Sequence, residues 1–314
     1  MRRRSCHAAA RRRSASCSGS VTPLGQDYRG HTLHEIPPNG QGIAALIALG
    51  ILKNFDLGSM KVDGIDSQHL QIEAMKLAFA DVYRFVAEPH CMEVTAGQLL
   101  DASYLASRAR LIDLQRAQDF GAGNPVKGGT VYLSTADESG MMVSLIQSNY
   151  MGFGSGVVVP GTGVSLQNRG AGFTLQAGHP NQVAPGKRPF HTIIPAFLTK
   201  DGQPVMSFGV MGGNMQPQGH MQTLVRMLVH GQQPQAACDA PRWKVATGRQ
   251  IDCEHTMAPA LQQGLRGLGH DIVATPDAYM DYGSGQFIAR LSDDHEDCYV
   301  AASDSRREGQ AVGF

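Results

Sequence analysis

The chain has 314 residues, 42% of them hydrophobic and 17% charged, a globular composition with room for one large domain or two small ones. Twenty-seven basic residues balance 27 acidic ones, which gives no reason to expect nucleic acid as a partner, and no apolar run approaches the roughly 20 residues of a membrane span. Six scattered cysteines without a CxxC or Cys/His ligand spacing argue against a zinc motif or a disulfide framework, and no motif asks for a metal or a cofactor.

Residues 1–20, MRRRSCHAAARRRSASCSGS, carry six arginines and no acid. The segment reads as a transit-like stretch, a disordered basic arm or a spurious start, because no apolar periodicity would let it join a core. A secretory signal does not fit, so a cytoplasmic location is expected, with a periplasmic or secreted one open if the true N-terminus lies elsewhere. From Val21 the chain becomes domain-like. DYRGHTLHEI (27–36) alternates as a strand, PPNGQG (37–42) is a turn, and GIAALIALGILKNF continues as a helix. SQHLQIEAMKLAFADVYRFV (67–86) is the strongest helical segment, with Leu70, Ala74, Leu77, Ala78 and Asp81 at three- and four-residue spacing. YLASRARLIDLQRA (104–117) predicts another helix, and GAGNPVKGG (121–129) breaks all periodicity. TVYLSTAD and GMMVSLIQSNY then predict an antiparallel hairpin, VVVPGTGVSLQN and IIPAFLTKDGQPVMSFGVM further strands, and MQPQGHMQTLVRMLVHG a helix opened by GGN (212–214). Helices, hairpins and a helix predict an α/β layered fold with a mostly antiparallel sheet.

Within VKGGTVYLS (126–134), two glycines precede Thr130 at the mouth of a strand. A turn accounts for them; so does a chain cut between Gly129 and Thr130. A cut would give Thr130 a free α-amine with a pKa of about 8, so that nucleophile and general base share one residue. Gly212 and Gly213, before a helix start, suit an oxyanion hole as well as a tight turn.

GGNMQPQGHMQ (212–222), PGKRPFHTIIPAF (185–197), GGTVYLS (128–134), DYRGHTLHEIPPNGQG (27–42) and HLQIEAMKLAFAD (69–81) together resemble the γ-glutamyltranspeptidase family. The resemblance runs from about Val21 to the terminal AVGF. It implies an N-terminal-nucleophile hydrolase with an αββα sandwich, incomplete on its large-subunit side: a basic or spurious stretch at 1–20, the C-terminal remnant of the large subunit at 21–129, and the small catalytic subunit at 130–314. By the same resemblance Thr130 is the self-processing site and nucleophile, and Ser148, standing where the family usually has Thr, is the hydroxyl that supports it. Gly212 and Gly213 are the oxyanion glycines, and His191 and Thr192 take the place of two substrate-binding serines. The implied reaction moves the acyl group of a γ-glutamyl amide onto water or an amino acid in a molecule of two cleaved chains, without a cofactor.

Two departures are informative. Where the family has an acidic stretch such as NNEMDDF, this chain has QNRGAGF (167–173), with Arg169 and Gly172 in the acidic positions. Arg169 repels an amine and suits a carboxylate. The pattern resembles the cephalosporin-acylase-like branch of the family, which implies glutaryl amides as alternative substrates. Tyr150 stands where the family has a substrate-binding Asn. The second departure is the short large-subunit region, which leaves a different reading beside the enzyme: an inactive fragment or non-catalytic partner subunit of the same fold.

Overall fold

The computed structural model describes residues 19–121, 129–276, 281–291 and 298–314. Most of the basic segment and most of the aperiodic loop before Gly129 lie outside the described residues.

A six-stranded antiparallel sheet forms the centre, in the order β1 (Leu24–Tyr28), β2 (His31–Glu35), β5 (Ala196–Lys200), β6 (Gln203–Met211), β10 (Ser284–Arg290), β11 (Tyr299–Ser303). The alternating run at 27–36, expected as one strand, is the turn of a hairpin. Arg29 and Gly30 both take positive φ (51° and 78°) and reverse the chain between β1 and β2.

On one face lie α1 (Ile43–Leu52), α2 (Ile65–Phe85), α4 (Ala102–Ala109) and α5 (Met215–Leu228), with the short α3 (Ala96–Leu99) beside them. Every residue of α1 is buried, as expected of a helix apolar all round. Gly50 permits the close approach of α4, since a Cβ there would stand 2.5 Å from Leu105 Cδ1. α2 is buried along most of its length, charged residues included, because these pair: Lys76 with Glu73 at 2.8 Å and Arg108 of α4 with Asp81 at 3.0 Å.

The helix expected over 104–117 stops at Ala109. Beyond it the backbone is committed elsewhere: the Asp113 carbonyl accepts from His69 Nε2 at 2.8 Å and the Ala117 N–H donates to the Leu268 carbonyl at 2.7 Å. VVVPGTGVSLQN forms no strand either. A single bridge, Val158 to Ser165, spans an exposed loop in which Gly161 and Gly163 have positive φ.

The hairpin β3 (Gly129–Ala136) and β4 (Met142–Tyr150) covers part of the other face of the sheet. A three-stranded sheet, β7 (Trp243–Thr247), β8 (Gln250–Glu254) and β9 (Asp271–Thr275), completes the fold with α6 (Pro234–Asp239) and α7 (Pro259–Gly267). Among the described residues no helix is long and apolar enough to cross a membrane.

Candidate active site

β3 and β4 pair in register except at Thr130. Gly129 faces Tyr150 and Val131 faces Gln147, so Ser148 and Asn149 both stand against Thr130. This bulge turns Ser148 back on its own strand, where its Oγ accepts the Tyr150 N–H at 2.8 Å. Tyr150 takes a φ of +80°, a conformation a bulky residue adopts only when its surroundings impose it.

The hairpin meets the sheet at two matched points. Tyr132 lies against Gly209, where a Cβ would come 2.5 Å from its ring, and Ser134 Oγ is 2.9 Å from Ser207 Oγ. Two residues along β3 thus correspond to two along β6 in the opposite direction, so β3 runs toward its Thr130 end as β6 runs toward Met211 and the Gly212–Gly213 turn.

That turn is built for close backbone approach. Gly212 and Gly213 have φ of +138° and +59°, and a Cβ on Gly212 would lie 2.8 Å from Gly283 Cα. Their carbonyls accept from Met215 N at 3.0 Å and Gln216 N at 3.3 Å, opening α5. Gln41 ties the turn to its neighbour: its Nε2 donates to the Gly213 carbonyl at 2.8 Å and the Thr192 carbonyl at 3.0 Å. Asn39 and Gln41 also bond the backbone of His191 on both sides, at 3.1 and 3.0 Å.

Arg169 joins this group from the loop after β4. Its Nη2 donates to the Ser148 carbonyl at 3.3 Å, its guanidinium lies 5.4 Å from the centre of the Tyr150 ring, and Nη1 is buried without a hydrogen-bond partner. Among the described residues no carboxylate comes within ion-pair distance of it. Burial holds the Arg169 pKa below its ordinary value, and the same charge acts on His191. His191 is pushed down to about 4, by burial first and by Arg169 and Arg188 after it, so the imidazole is neutral at pH 7. Its Nδ1 accepts the Ile193 N–H at 3.2 Å, which leaves the proton on Nε2. Thr192 is buried, 3% exposed, and meets the site through its backbone. Arg188 is engaged by Glu88 through two side-chain contacts of 2.7 and 2.8 Å.

Sequence reasoning missed three contributors. Gln41 sits in PPNGQG, where the turn signal of Pro and Gly hides a buried amide. Asn39 lies in the same stretch. Tyr83 ends the strongest helix, where its ring stacks on Phe79 (5.5 Å between centroids) and its hydroxyl accepts from Asn214 Nδ2 beside the glycine turn. Helical periodicity continued past Asp81 is the one signal that finds it.

A metal is a poor fit to the one cluster of donors found among the described residues. His69, Glu73 and His270 hold atoms within 4.8 Å of one another, but His69 Nδ1 and His270 Nε2 are hydrogen-bonded at 2.7 Å and the Lys76 ammonium already sits 2.8 Å from Glu73.

A central antiparallel sheet flanked by helices, with a threonine at the head of a hairpin and a paired-glycine turn opening a helix, defines an N-terminal-nucleophile hydrolase fold. The γ-glutamyltranspeptidase profile matches residues 18–314, and the chain belongs to that family. It is 48% identical to the crystal structure of a cephalosporin acylase from Bacillus halodurans, with a TM-score of 0.87 over 94% of this chain and 53% of that one. It is 35% identical over 303 residues to a glutathione hydrolase-like YwrD proenzyme from Bacillus subtilis, covering 94% of this chain and 56% of that protein. It is 36% identical over 298 residues to an oxamate amidohydrolase proenzyme from Klebsiella pneumoniae, covering 93% and 55%. The chain thus spans about half the length of the curated relatives it matches.

Proposed function

We propose that the chain carries the catalytic half of an amide hydrolase or acyltransferase working through Thr130. In maturation, Thr130 Oγ1 attacks the Gly129 carbonyl carbon and the Gly129–Thr130 C–N bond breaks, giving an ester and a free Thr130 amine. Water hydrolyses the ester, leaving a Gly129 carboxylate and Thr130 as a new N-terminus, so residues 21–129 and 130–314 become parts of two chains. In turnover the amine takes the proton from Oγ1 as the oxygen attacks the substrate amide, and returns it to the leaving amine. The N–H groups at the Gly212–Gly213 turn hold the oxyanion, and water or an amino acid takes the acyl group from Thr130. The observation that carries this reading is the bulge that sets Ser148 and Asn149 against Thr130.

The acyl group we assign is one that ends in a carboxylate. The buried, unpartnered Nη1 of Arg169 supports this, since a carboxylate would fill it and a substrate amine would be repelled. Tyr150 packs against the same guanidinium and His191 feels its charge, and with the Thr192 backbone they complete the proposed acyl pocket. A γ-glutamyl amide supplies a carboxylate together with an amine; a glutaryl amide supplies the carboxylate alone. Oxamate, for which one relative is named, is itself a carboxylate beside an amide, in keeping with an acid-bearing acyl group. The site residues and the division of the chain are part of the same proposal.

Intact-mass analysis tests the first half: the wild-type chain should yield a fragment beginning TVYLS, and Thr130→Ala should stay whole. Matched glutaryl and γ-glutamyl anilides test the second: glutaryl should be turned over at least as well, with Arg169→Asp reversing the preference. Cleavage in Thr130→Ala would overturn self-processing, and an unchanged preference in Arg169→Asp would remove Arg169 from the acyl pocket. A chain with no turnover at all would favour the second reading, a site completed only by another polypeptide, for which the apolar outer face of the hairpin speaks.

A further inference from the structure

We propose that Glu35 and His220 are a positioning pair: a neutral imidazole, with its proton held on Nδ1 by Glu35, caps the Val210 N–H and so fixes the end of β6 and the Gly212–Gly213 turn beyond it. The catalytic part of this inference rests on the proposed function; the structural part does not.

β5 begins at Ala196, opposite Phe208, so β6 runs past the end of its neighbour. There the Val210 N–H finds no strand on that side and donates to His220 Nε2 of α5 at 3.0 Å. α5 can come this close because Gly219 faces Val210, where a Cβ would meet the Val210 side chain at 2.6 Å. The other ring nitrogen, Nδ1, lies 2.7 Å from Glu35 Oε1, at the last residue of β2. One ring therefore bridges β2 and β6 across the gap that β5 leaves, packed on Phe208 at 5.2 Å between centroids. His220 and Glu35 are both essentially free of solvent contact.

Proton placement follows from these two contacts. An Nε2 that accepts Val210 N–H carries no proton, so the proton is on Nδ1 and is donated to Glu35. An imidazolium would put two donors face to face at Val210. Burial acts in the same direction, pushing His220 down to about 3 and the Glu35 carboxyl well above its ordinary range. Glu35 is in turn held down by Gly42 at the start of α1, where any Cβ would fall 2.8 Å from the Glu35 Cβ. Val210 is two residues from Gly212. An oxyanion donor displaced by a fraction of an ångström loses transition-state contact while leaving ground-state binding largely intact.

The test compares Glu35→Gln, which keeps an oxygen to receive the Nδ1 proton, with Glu35→Leu, which does not, and with His220→Phe. Hydrogen exchange of the peptide spanning Val210–Gly213 should rise at least tenfold in Glu35→Leu and His220→Phe and stay within twofold in Glu35→Gln, with peptides of α2 unchanged in all three. Nitrogen-15 spectra should show His220 protonated at Nδ1 and bare at Nε2. In γ-glutamyl or glutaryl anilide turnover, kcat should fall at least tenfold in Glu35→Leu with KM within twofold, and recover in Glu35→Gln. A proton on Nε2, equal damage from Gln and Leu, or an exchange increase spread over the whole chain would overturn the pairing. Thr130→Ala serves as the control: it should lose turnover yet keep wild-type exchange at Val210–Gly213. A wild-type chain without turnover would therefore count against the acyl-transfer reading alone, with exchange and nitrogen-15 spectra still deciding the pair.

Discussion

The two faces of the six-stranded sheet are built on opposite rules. On the helical face the apolar side chains point inward: α1 is buried residue by residue, and Leu33, Leu198 and Phe208 of the sheet belong to the same core. On the hairpin face the polar side chains point inward. Tyr132 Oη, Ser134 Oγ, Ser144 Oγ and Ser207 Oγ form a hydroxyl layer with contacts of 2.6–2.9 Å, while Val131, Leu133, Val143 and Leu145 face out, each 41–59% exposed. A cavity of about 240 Å³ remains between β3, β10 and residues 309–312 of the C-terminal tail. An antiparallel sheet normally turns its polar side chains to water. The reversal leaves an exposed apolar outer face on the hairpin that carries Thr130 and Ser148.

Substitutions sharpen the contrast, beginning with the largest effect. Lys76→Met strands the buried Glu73 carboxylate, and breaking such a pair costs about 3–5 kcal/mol. Burial already holds the Glu73 carboxyl above its ordinary value against the pull of Lys76, so protonation relieves part of the cost. Urea denaturation at pH 7.5 should show the full loss and at pH 5 a smaller one. Leu46→Ala on the helical face comes next, at about 2–5 kcal/mol, because close packing around α1 leaves little room to collapse into the gap. A loss below about 1 kcal/mol at Leu46 would mean that the helical face is not close-packed around α1.

The dependence on pH belongs to the helical half as well. His270 is pushed down to about 2, by burial first, then by Lys76 and His69. With a folded pKa below the unfolded one, its contribution is complete above about pH 6.5 and is lost as pH falls, since only the unfolded chain takes up the proton. Glu73 opposes this: its raised pKa lets the folded chain bind a proton first. The stability slope between pH 6.5 and 4.5 should therefore flatten in His270→Gln, by at most about 1.4 kcal/mol per pH unit. An unaltered slope would mean that His270 is not held neutral by its surroundings.

The contrast also explains what was legible in the sequence. Leu70, Ala74, Leu77 and Ala78 announced α2 because a buried stripe repeats at helical spacing, and the hairpin announced itself through TVYLSTAD, a short turn and a second strand. The paired glycines before Thr130 were legible as the mouth of a strand, which begins at Gly129, and Gly212 and Gly213 as a turn before a helix, which begins at Met215. The partnership of Glu35, His220 and Val210 was not, because it joins positions 185 residues apart across a gap in the sheet. Nothing local distinguishes a histidine that caps a strand from one that fills a core. The end of the helix at Ala109 was equally hidden, being set by Asp113 and Ala117 bonding to His69 and Leu268. Nor could alternation reveal which face of β3 and β4 turns outward: Val131 and Tyr132 both suit a strand, and only the fit of Tyr132 onto Gly209 decides between them.

The smallest expected effect is also the sharpest test of the contrast. Leu133→Ser and Leu145→Ser, made together on the outer face, remove exposed apolar surface that touches no core in this chain. Surface substitutions away from packing features usually shift stability within about 0.5 kcal/mol each, so the urea midpoint should barely move. Self-association should fall instead, read as a lower weight-average mass in sedimentation at equal concentration, since an uncovered apolar sheet face is a ready contact for a second copy. If the double variant instead lost more than about 2 kcal/mol, these leucines would be core residues of the chain by itself, and the hairpin would follow the same rule as the helical face. If stability and mass were both unchanged while catalytic turnover vanished, the face would be answering to a covering segment that matters only for the site. Val131 separates that case, because it lies beside Thr130 on β3: Val131→Ser should then reproduce the loss of turnover alone, with the same midpoint and the same mass.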